Sequence, residues 1–293
     1  MDRFLISYYK SVCLPFDKTT YSIREERSDV MMDYKEAQQS IINAIHPRSL
    51  PLAVRFLKNG EVFPEKTKRP SEVLKKRITI CQGITMARLY GWSVGLTKED
   101  IVCVPAMIAW GMSAAENPKE ELSGLFNTVG FAANSEIATS QADSILCPAK
   151  GEVAGILISP LAKAQQEPHT VVVYCNPAQA MRLIQGINYH LAGEVDGSFA
   201  GKVECVDTLY AAYRLDKPRV SIPGLGDRIF SMTQDDELVV AVPTKFLPKF
   251  LEGLTEAAKK IGARYPVTFY QNFEPQFPPD YKEMADRLGL FRD

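Results

Sequence analysis

The fold is decided by two similar stretches, Cys81-Gln-Gly-Ile-Thr-Met-Ala-Arg88-Leu89 and Cys175-Asn-Pro-Ala-Gln-Ala-Met-Arg182-Leu183. In both, an Arg-Leu pair begins seven residues after a cysteine. Each stretch is followed by a second cysteine, Cys103 or Cys205, with an alanine six residues further on. An internal repeat of this kind predicts two similar structural units. Units packed around a pseudo-twofold axis would bring cysteines from remote parts of the chain to one place.

The repeat predicts a single α+β domain with an internally duplicated β-α unit and a mixed sheet. The predicted units cover about 50–112 and 153–215, and a third segment, 216–262, completes the sheet. Together they form a domain over 33–267, preceded by an N-terminal extension, 1–32, and followed by a C-terminal tail, 268–293.

Each repeated stretch is predicted to start where a buried strand gives way to a helix. Strand 78–80 would deliver Cys81, and strand 170–174 would deliver Cys175. Asn176 is a good N-cap residue and Pro177 suits the first helical position. Glycines and prolines punctuate the bridge between the units, 113–150, which predicts loops and a strand near 125–133. Arg88 and Arg182 are predicted to fix their units by pairing with a carboxylate or a carbonyl, because a buried arginine needs a partner.

Composition excludes several classes of protein. A net charge of -1 argues against a broad nucleic-acid surface, and no stretch approaches the ~18 apolar residues of a membrane span. The N-terminus lacks the apolar region of a signal peptide, so the expected compartment is the cytoplasm, where thiols stay reduced. The six cysteines include no Cys-x-x-Cys pair, which excludes zinc-ribbon and thioredoxin motifs.

Several separated motifs of the chain are shared with a known family. They are Pro51-Leu-Ala-Val54, the segments around Cys81 and Cys103, Asn176-Pro-Ala-Gln-Ala-Met-Arg-Leu-Ile184, Ser221-x-Pro-x-x-Gly-Asp-Arg228, and Gly253-Leu-Thr-Glu-Ala-x-x-x-x-Gly-x-Arg-Tyr-Pro266. With these motifs, residues from about Tyr34 to Pro266 resemble the uncharacterised ArCR family (domain of unknown function 169) of anaerobic archaea and bacteria. The resemblance implies a cytoplasmic protein in an anaerobic setting and supplies no reaction.

The chain departs from the family pattern at two positions. Many relatives have a cysteine after the proline of the Ser-x-Pro-x-x-Gly-Asp-Arg loop, where this chain has Gly224. Conversely, Cys175 stands where glycine or another small residue is usual. A ligand set based on Cys81, Cys103 and Cys205 would therefore take Cys175, Cys147 or a non-protein ligand as its fourth member.

The repeated cysteines are candidate metal ligands. Thiolates bind zinc, copper(I) and iron–sulfur clusters, and they must converge in space rather than in sequence. The predicted metal ligands are Cys81, Cys103, Cys175 and Cys205, with an iron–sulfur cluster as the candidate cofactor. The alternatives are that these cysteines only fill the core, as buried cysteines often do, or that one of them is a reactive thiol.

A second candidate site is the loop Pro223-Gly224-Leu225-Gly226-Asp227-Arg228. The amides of Gly224 and Gly226 could approach a ligand closely, and Arg228 could hold a carboxylate or phosphate. Asn176 at a helix start could add to an anion site. The alternative is a tight turn with a locally paired arginine and an ordinary helix cap.

Three functional hypotheses follow. The first is a cysteine-ligated metal or iron–sulfur protein of anaerobic redox metabolism, acting with a redox partner. The second is an enzyme or binding protein for a small anionic metabolite, using the loop of Gly224, Gly226 and Arg228. The third is a non-catalytic assembly protein that forms homo-oligomers. None of them involves nucleic acid or a membrane, and whether the protein is an enzyme stays open.

Overall fold

The computed structural model of the chain describes residues 32–191, 195–199, 201–262, 264–266 and 277–290. Its strands are β1 Leu52–Leu57, β2 Val94–Leu96, β3 Gly155–Pro160, β4 Thr170–Cys175, β5 Asp196–Ser198, β6 Arg219–Ser221 and β7 Leu238–Pro243. Its α-helices are α1 Tyr34–Ile45, α2 Pro70–Val73, α3 Ile80–Arg88, α4 Val104–Ala109, α5 Pro118–Thr128, α6 Ser135–Ser144, α7 Pro177–Asn188, α8 Glu204–Leu209, α9 Ala211–Leu215, α10 Leu225–Phe230, α11 Leu247–Lys260 and α12 Pro279–Leu288.

Within the described residues, seven strands form one mixed sheet in the order β2-β3-β1-β4-β7-β6-β5. The β5–β6 pair is parallel and the other neighbouring pairs are antiparallel. All six residues of β3 and of β4 are buried, as expected for strands covered by helices on both faces. The predicted class, a single α+β domain with a mixed sheet, is confirmed.

The two faces of the sheet carry different sets of helices. The main core includes residues of α3, α4, α5, α6 and α8, and it takes Val172 and Tyr174 from β4. Helices α1, α7 and α11 pack against one another, and α7 packs on β4 and β7. Because side chains alternate along a strand, Val171, Val173 and Cys175 point to this second face. The alternation thus separates Tyr174 from Cys175 at the end of β4.

The internal duplication is not confirmed. Cys175 ends strand β4 as predicted, but the strand predicted over 78–80 is wrong. Ile78 makes an isolated bridge to Ile101, and Cys81 already lies in the first turn of α3. Thr79 caps this helix and forms a capping box with Gln82, so the helix starts before a strand can extend. The two stretches therefore have different local structures around their first cysteine.

The bridge at 113–150 contains two helices instead of the predicted loops and strand. Asn117 caps α5 and Asn134 caps α6, each through its side-chain oxygen. Pro118 stands in the first turn of α5, where its missing N–H costs no hydrogen bond. Pro118 and Asn134, which the sequence analysis takes as signs of loops, therefore mark the starts of helices.

The predicted extension, 1–32, lies outside the described residues except for Met32, and the predicted tail, 268–293, is described only over 277–290. From Asp33 onward the chain forms one compact unit. Among the described helices, none combines the length and the apolar character that crossing a bilayer requires.

Helices α7 and α11 approach each other closely because each has a glycine at the crossing. A Cβ at Gly253 would overlap the backbone carbonyl oxygen of Gly186. We expect Gly253→Ala to lower the free energy of unfolding by about 1–3 kcal/mol, since the helices must separate to admit the methyl group. Urea unfolding followed by circular dichroism measures this loss.

Gly124 provides the matched control, because it also lies inside a helix but has open space around it. Gly124→Ala should leave stability unchanged or raise it by about 0.5–1 kcal/mol. Equal effects of the two substitutions would show that the close helix crossing contributes nothing.

Candidate functional site

A small apolar cavity of about 220 Å³ lies on the face of the sheet that carries α3, α4 and α8. Its walls include the side chains of Ile80, Phe126, Phe131, Ile229 and Phe230. Among these apolar groups, three cysteines and two carboxylates line the cavity: Cys81, Cys103, Cys205, Glu204 and Asp227. The structure therefore brings together three of the four predicted metal ligands.

Each of the three cysteines lies at the start of a helix. Cys81 is in the first turn of α3, Cys103 is the N-cap residue of α4, and Cys205 is in the first turn of α8. Val203 precedes α8 with a left-handed backbone (φ 55°), which turns the chain into that helix. Backbone N–H groups at helix starts carry partial positive charge, and the Ala106 N–H lowers the pKa of Cys103 against the larger effect of burial.

Burial dominates the protonation of the three thiols. It raises the pKa of Cys81, with further increases from the Asp227 carboxylate and from Cys205. Burial likewise raises the pKa of Cys103 and of Cys205. Without a cation the three sulfurs are therefore protonated at neutral pH, and a bound metal would have to displace these protons.

The sulfur of Cys205 accepts a hydrogen bond from the indole Nε1–H of Trp110 at 3.4 Å. An indole can only donate, so this contact favours the thiolate or a metal-bound sulfur. Trp110 is fully buried and stacks edge-on against Tyr210, which fixes the direction of its N–H. The protein thus holds one donor in place for a negatively charged sulfur.

The two carboxylates differ in their partners. Asp227, in the first turn of α10, accepts the Gly224 amide at 3.2 Å and also lies in hydrogen-bonding contact with the Cys81 thiol. Glu204, the first residue of α8, has a buried Oε1 without a hydrogen-bond partner. Burial raises the pKa of Asp227, and it raises the pKa of Glu204 to about 8.

Cys175, the fourth predicted ligand, does not line the cavity. It is buried at the end of β4, on the face opposite Tyr174, where burial raises its pKa to about 12. Cys147, the other protein candidate for a fourth ligand, also lies outside the lining. The prediction that the repeat would bring four cysteines together fails because strand alternation turns Cys175 away.

The loop predicted to bind an anion is the start of a helix. The Gly224 amide is taken by Asp227, and Arg228 donates to the Gln234 carbonyl at 2.7 Å and pairs with Asp235 at 3.7 Å. Gly226 backs the cavity, since a Cβ there would lie 3.7 Å from the Cys81 sulfur. These contacts match the alternative of a tight turn with a locally paired arginine, and the anion hypothesis stays a prediction.

Asn176 acts as a helix cap. Its side-chain oxygen accepts a hydrogen bond from the backbone N–H of Gln179 at 2.9 Å. The backbone N–H of Asn176 donates in turn to the side-chain oxygen of Gln179. The side-chain Nδ2 of Asn176 also donates to the Tyr265 hydroxyl at 3.0 Å. It lies apart from the residues that line the cavity.

Sequence reasoning missed three groups of this site: Glu204, Asp227 and Trp110. Asp227 stands inside the quoted Ser-x-Pro-x-x-Gly-Asp-Arg motif, so its motif position was the available signal. Glu204 offers no such signal, because an acidic residue in the first turn of a helix is ordinary. Trp110 ends an apolar run, so the sequence predicts only a core residue. The hydrogen bond from its N–H to Cys205 depends on the tertiary structure.

Among the described residues, no three His, Cys, Asp or Glu side chains are arranged to hold a single metal ion. The three thiols instead face a space larger than one ion. Their chemistry suits a soft metal centre, and the orphaned buried oxygen of Glu204 is an acceptor without a donor.

Comparison with known proteins gives a family and no activity. The family model described as Uncharacterised ArCR, domain of unknown function 169, matches residues 40–253. An uncharacterised protein of Methanocaldococcus jannaschii is 28% identical over 206 residues, which cover 69% of this chain and 85% of that protein. No solved structure matches the chain. Since the family model covers well over half of its length, the chain belongs to the uncharacterised ArCR family.

Proposed function

We propose that this protein holds an iron–sulfur cluster through Cys81, Cys103 and Cys205 and serves in redox metabolism. The observation that carries the proposal is that three cysteines from separate helix starts line one apolar cavity. Cysteines that merely filled a core would be packed by neighbouring side chains, whereas these three line a cavity.

The size of the cavity favours a cluster over a single ion. One zinc ion requires its ligands to meet at a point about 2.3 Å from each sulfur. The thiols lack that arrangement, whereas a cluster distributes its ligands around several iron atoms. The cavity lined by the three cysteines has a volume of about 220 Å³.

The electrostatics of the cavity support a metal centre. Glu204 and Asp227 are buried beside the thiols, and among the described residues no cation lies within ion-pair distance of either carboxylate. Metal ions bound by the sulfurs would place positive charge beside the two carboxyl groups.

A bound cluster would supply one-electron transfer, and this chain's residues would control its surroundings. Phe126, Phe131 and Phe230 would form an apolar wall beside the cluster, and the Trp110 N–H would stabilise negative charge on Cys205. We further propose a reducing cytoplasm and an anaerobic setting, where such a cluster persists, and a redox partner that exchanges electrons with it. The homo-oligomer stays a prediction, which sedimentation of the purified protein tests.

The test is the iron, zinc and acid-labile sulfide content of the full chain purified without oxygen, together with its visible spectrum. We expect near-stoichiometric iron and sulfide and a broad absorption near ~400 nm, as for thiolate-bound clusters. Colourless protein with free thiols and no iron, from a preparation kept anaerobic, would overturn the proposal. Stabilisation of that protein by phosphate or a dicarboxylate, lost in Arg228→Ala, would then support the anionic-metabolite hypothesis.

A further inference from the structure

We propose that Glu204 provides the fourth ligand of this centre, so that three thiolates and one carboxylate bind the cluster. The inference rests on the proposed function and assigns a ligand that the cysteine pattern does not contain. Its basis is a buried carboxylate oxygen without a partner in a cavity lined by three thiols.

One oxygen of the Glu204 carboxyl is buried without a partner, although backbone N–H groups of Lys202 and Glu204 contact the group. The residue is 3% exposed, and its Oε1 has no hydrogen-bond partner. The neighbouring Lys202 is engaged elsewhere, since its amino group donates to Gln141 and lies over the ring of Phe126. A bound metal ion would give this unpartnered oxygen a partner.

The backbone around Glu204 keeps its carboxylate within the cavity. Glu204 directly precedes Cys205 in the first turn of α8, so a ligand at each position comes from the same rigid turn. The other carboxylate oxygen, Oε2, lies where a side chain at Gly224 would begin, because a Cβ there would overlap it. A side chain at position 224 therefore does not fit while Glu204 holds this place.

Asp227 is the rival carboxylate, and its contacts argue against it as the ligand. It accepts the Gly224 amide and contacts the Cys81 thiol, so both interactions hold it as part of the α10 cap. Glu204 has the unpartnered oxygen, and Asp227 does not. The structure thus assigns the ligand role to Glu204 and a supporting role beside Cys81 to Asp227.

A carboxylate binds iron as a harder and weaker ligand than a thiolate does. The iron atom held by Glu204 would consequently differ from the thiolate-bound irons in its spectrum and would leave first on oxidation. This difference gives the assignment a readout that does not depend on activity.

The experiment compares wild type, Glu204→Gln and Asp227→Asn, all full-length, loaded with ⁵⁷Fe and purified anaerobically. Mössbauer spectra should resolve one distinct iron site in wild type and in Asp227→Asn, and Glu204→Gln should change that site. Under brief ferricyanide oxidation, Glu204→Gln should lose one iron per cluster faster than either of the others. Asp227→Asn tests the rival carboxylate: loss of the distinct iron site in this variant, with retention in Glu204→Gln, would assign the ligand role to Asp227 instead.

Glu204→Cys extends the test if Glu204→Gln fails to fold, with circular dichroism as the check on folding. A fourth thiolate should remove the distinct iron site and slow the loss of iron. Spectra and iron loss that are the same in wild type, Glu204→Gln and Glu204→Cys would overturn the ligand assignment while leaving the three-cysteine cluster intact. A wild type without iron would overturn the cluster itself, so the two failures are distinguishable.

Discussion

Replacing Cys81, Cys103 or Cys205 by serine is expected to remove most of the iron and acid-labile sulfide from anaerobically purified protein. A serine oxygen is a poor substitute for the soft thiolate that cluster iron prefers, and each of these cysteines lines the cavity from a different helix. We expect the absorption near ~400 nm to fall with the iron content in each single variant. Metal and sulfide analysis, with the visible spectrum, measures the effect.

The matched controls are Cys175→Ser and Cys147→Ser, since neither residue lines the cavity. Cys175 is more deeply buried than Cys81 or Cys103, so its substitution tests whether a general loss of packing explains the result. Both controls should retain iron and sulfide at the wild-type level. Loss of the cluster in Cys175→Ser, with retention in Cys103→Ser, would contradict the ligand assignment.

Breaking the buried ion pair between Arg88 and Glu237 is expected to lower the free energy of unfolding by about 3–5 kcal/mol. The two side chains are 1% and 4% exposed and meet through two hydrogen bonds of 2.8 and 3.2 Å. Arg88 also lies over the ring of Tyr174, with 4.2 Å between its Cζ and the ring centroid. Removing one partner leaves the other charge buried and unpaired, so Glu237→Gln should unfold at a much lower urea concentration.

The exposed pair of Arg48 and Asp236, 2.6 Å apart, is the control for this prediction. Its side chains are 56% and 47% exposed, so water screens the interaction. Asp236→Asn should leave the urea midpoint unchanged. If Glu237→Gln and Asp236→Asn had the same small effect, the buried pair would not stabilise the fold.

The buried Arg88–Glu237 pair also positions residues of the cavity. Thr85 donates to the Ser231 carbonyl at 2.6 Å, and Arg88 contacts the same segment just after α10. Thr85 and the paired Arg88 therefore hold α10, which contains Asp227, against α3, which contains Cys81. In the destabilised variant Glu237→Gln we therefore expect faster loss of iron under oxygen than in wild type.

Local signals in the sequence predicted some elements well. Asp33 caps α1, and the strand–Asn176–Pro177 pattern gives β4 followed by α7. The pairing predicted for the repeated arginines is also confirmed, since Arg88 pairs with Glu237 and Arg182 donates to the Leu254 carbonyl. Such features depend on caps, on strand-forming residues and on the cost of an unpaired buried charge, all of which act at short range or on one residue.

Other elements could not be predicted from local sequence. The short run 78–80 has strand-forming residues, but the Thr79–Gln82 capping box starts a helix inside it. Leu122 and Phe126 pack into the core from helix α5, which covers the start of the strand predicted near 125–133. The spacing of apolar residues alone does not distinguish a short buried helix from a strand.

The sequence by itself determined the fold class, and it singled out four cysteines without showing which of them meet, because strand, cap and thiol signals are properties of single segments. Only the tertiary structure decided which groups share the cavity. It turned Cys175 to the opposite face of the sheet, since side chains alternate along β4, and it placed Glu204 and Asp227 beside the thiols. Convergence of this kind depends on how remote helix starts pack together, and no spacing within one segment encodes it.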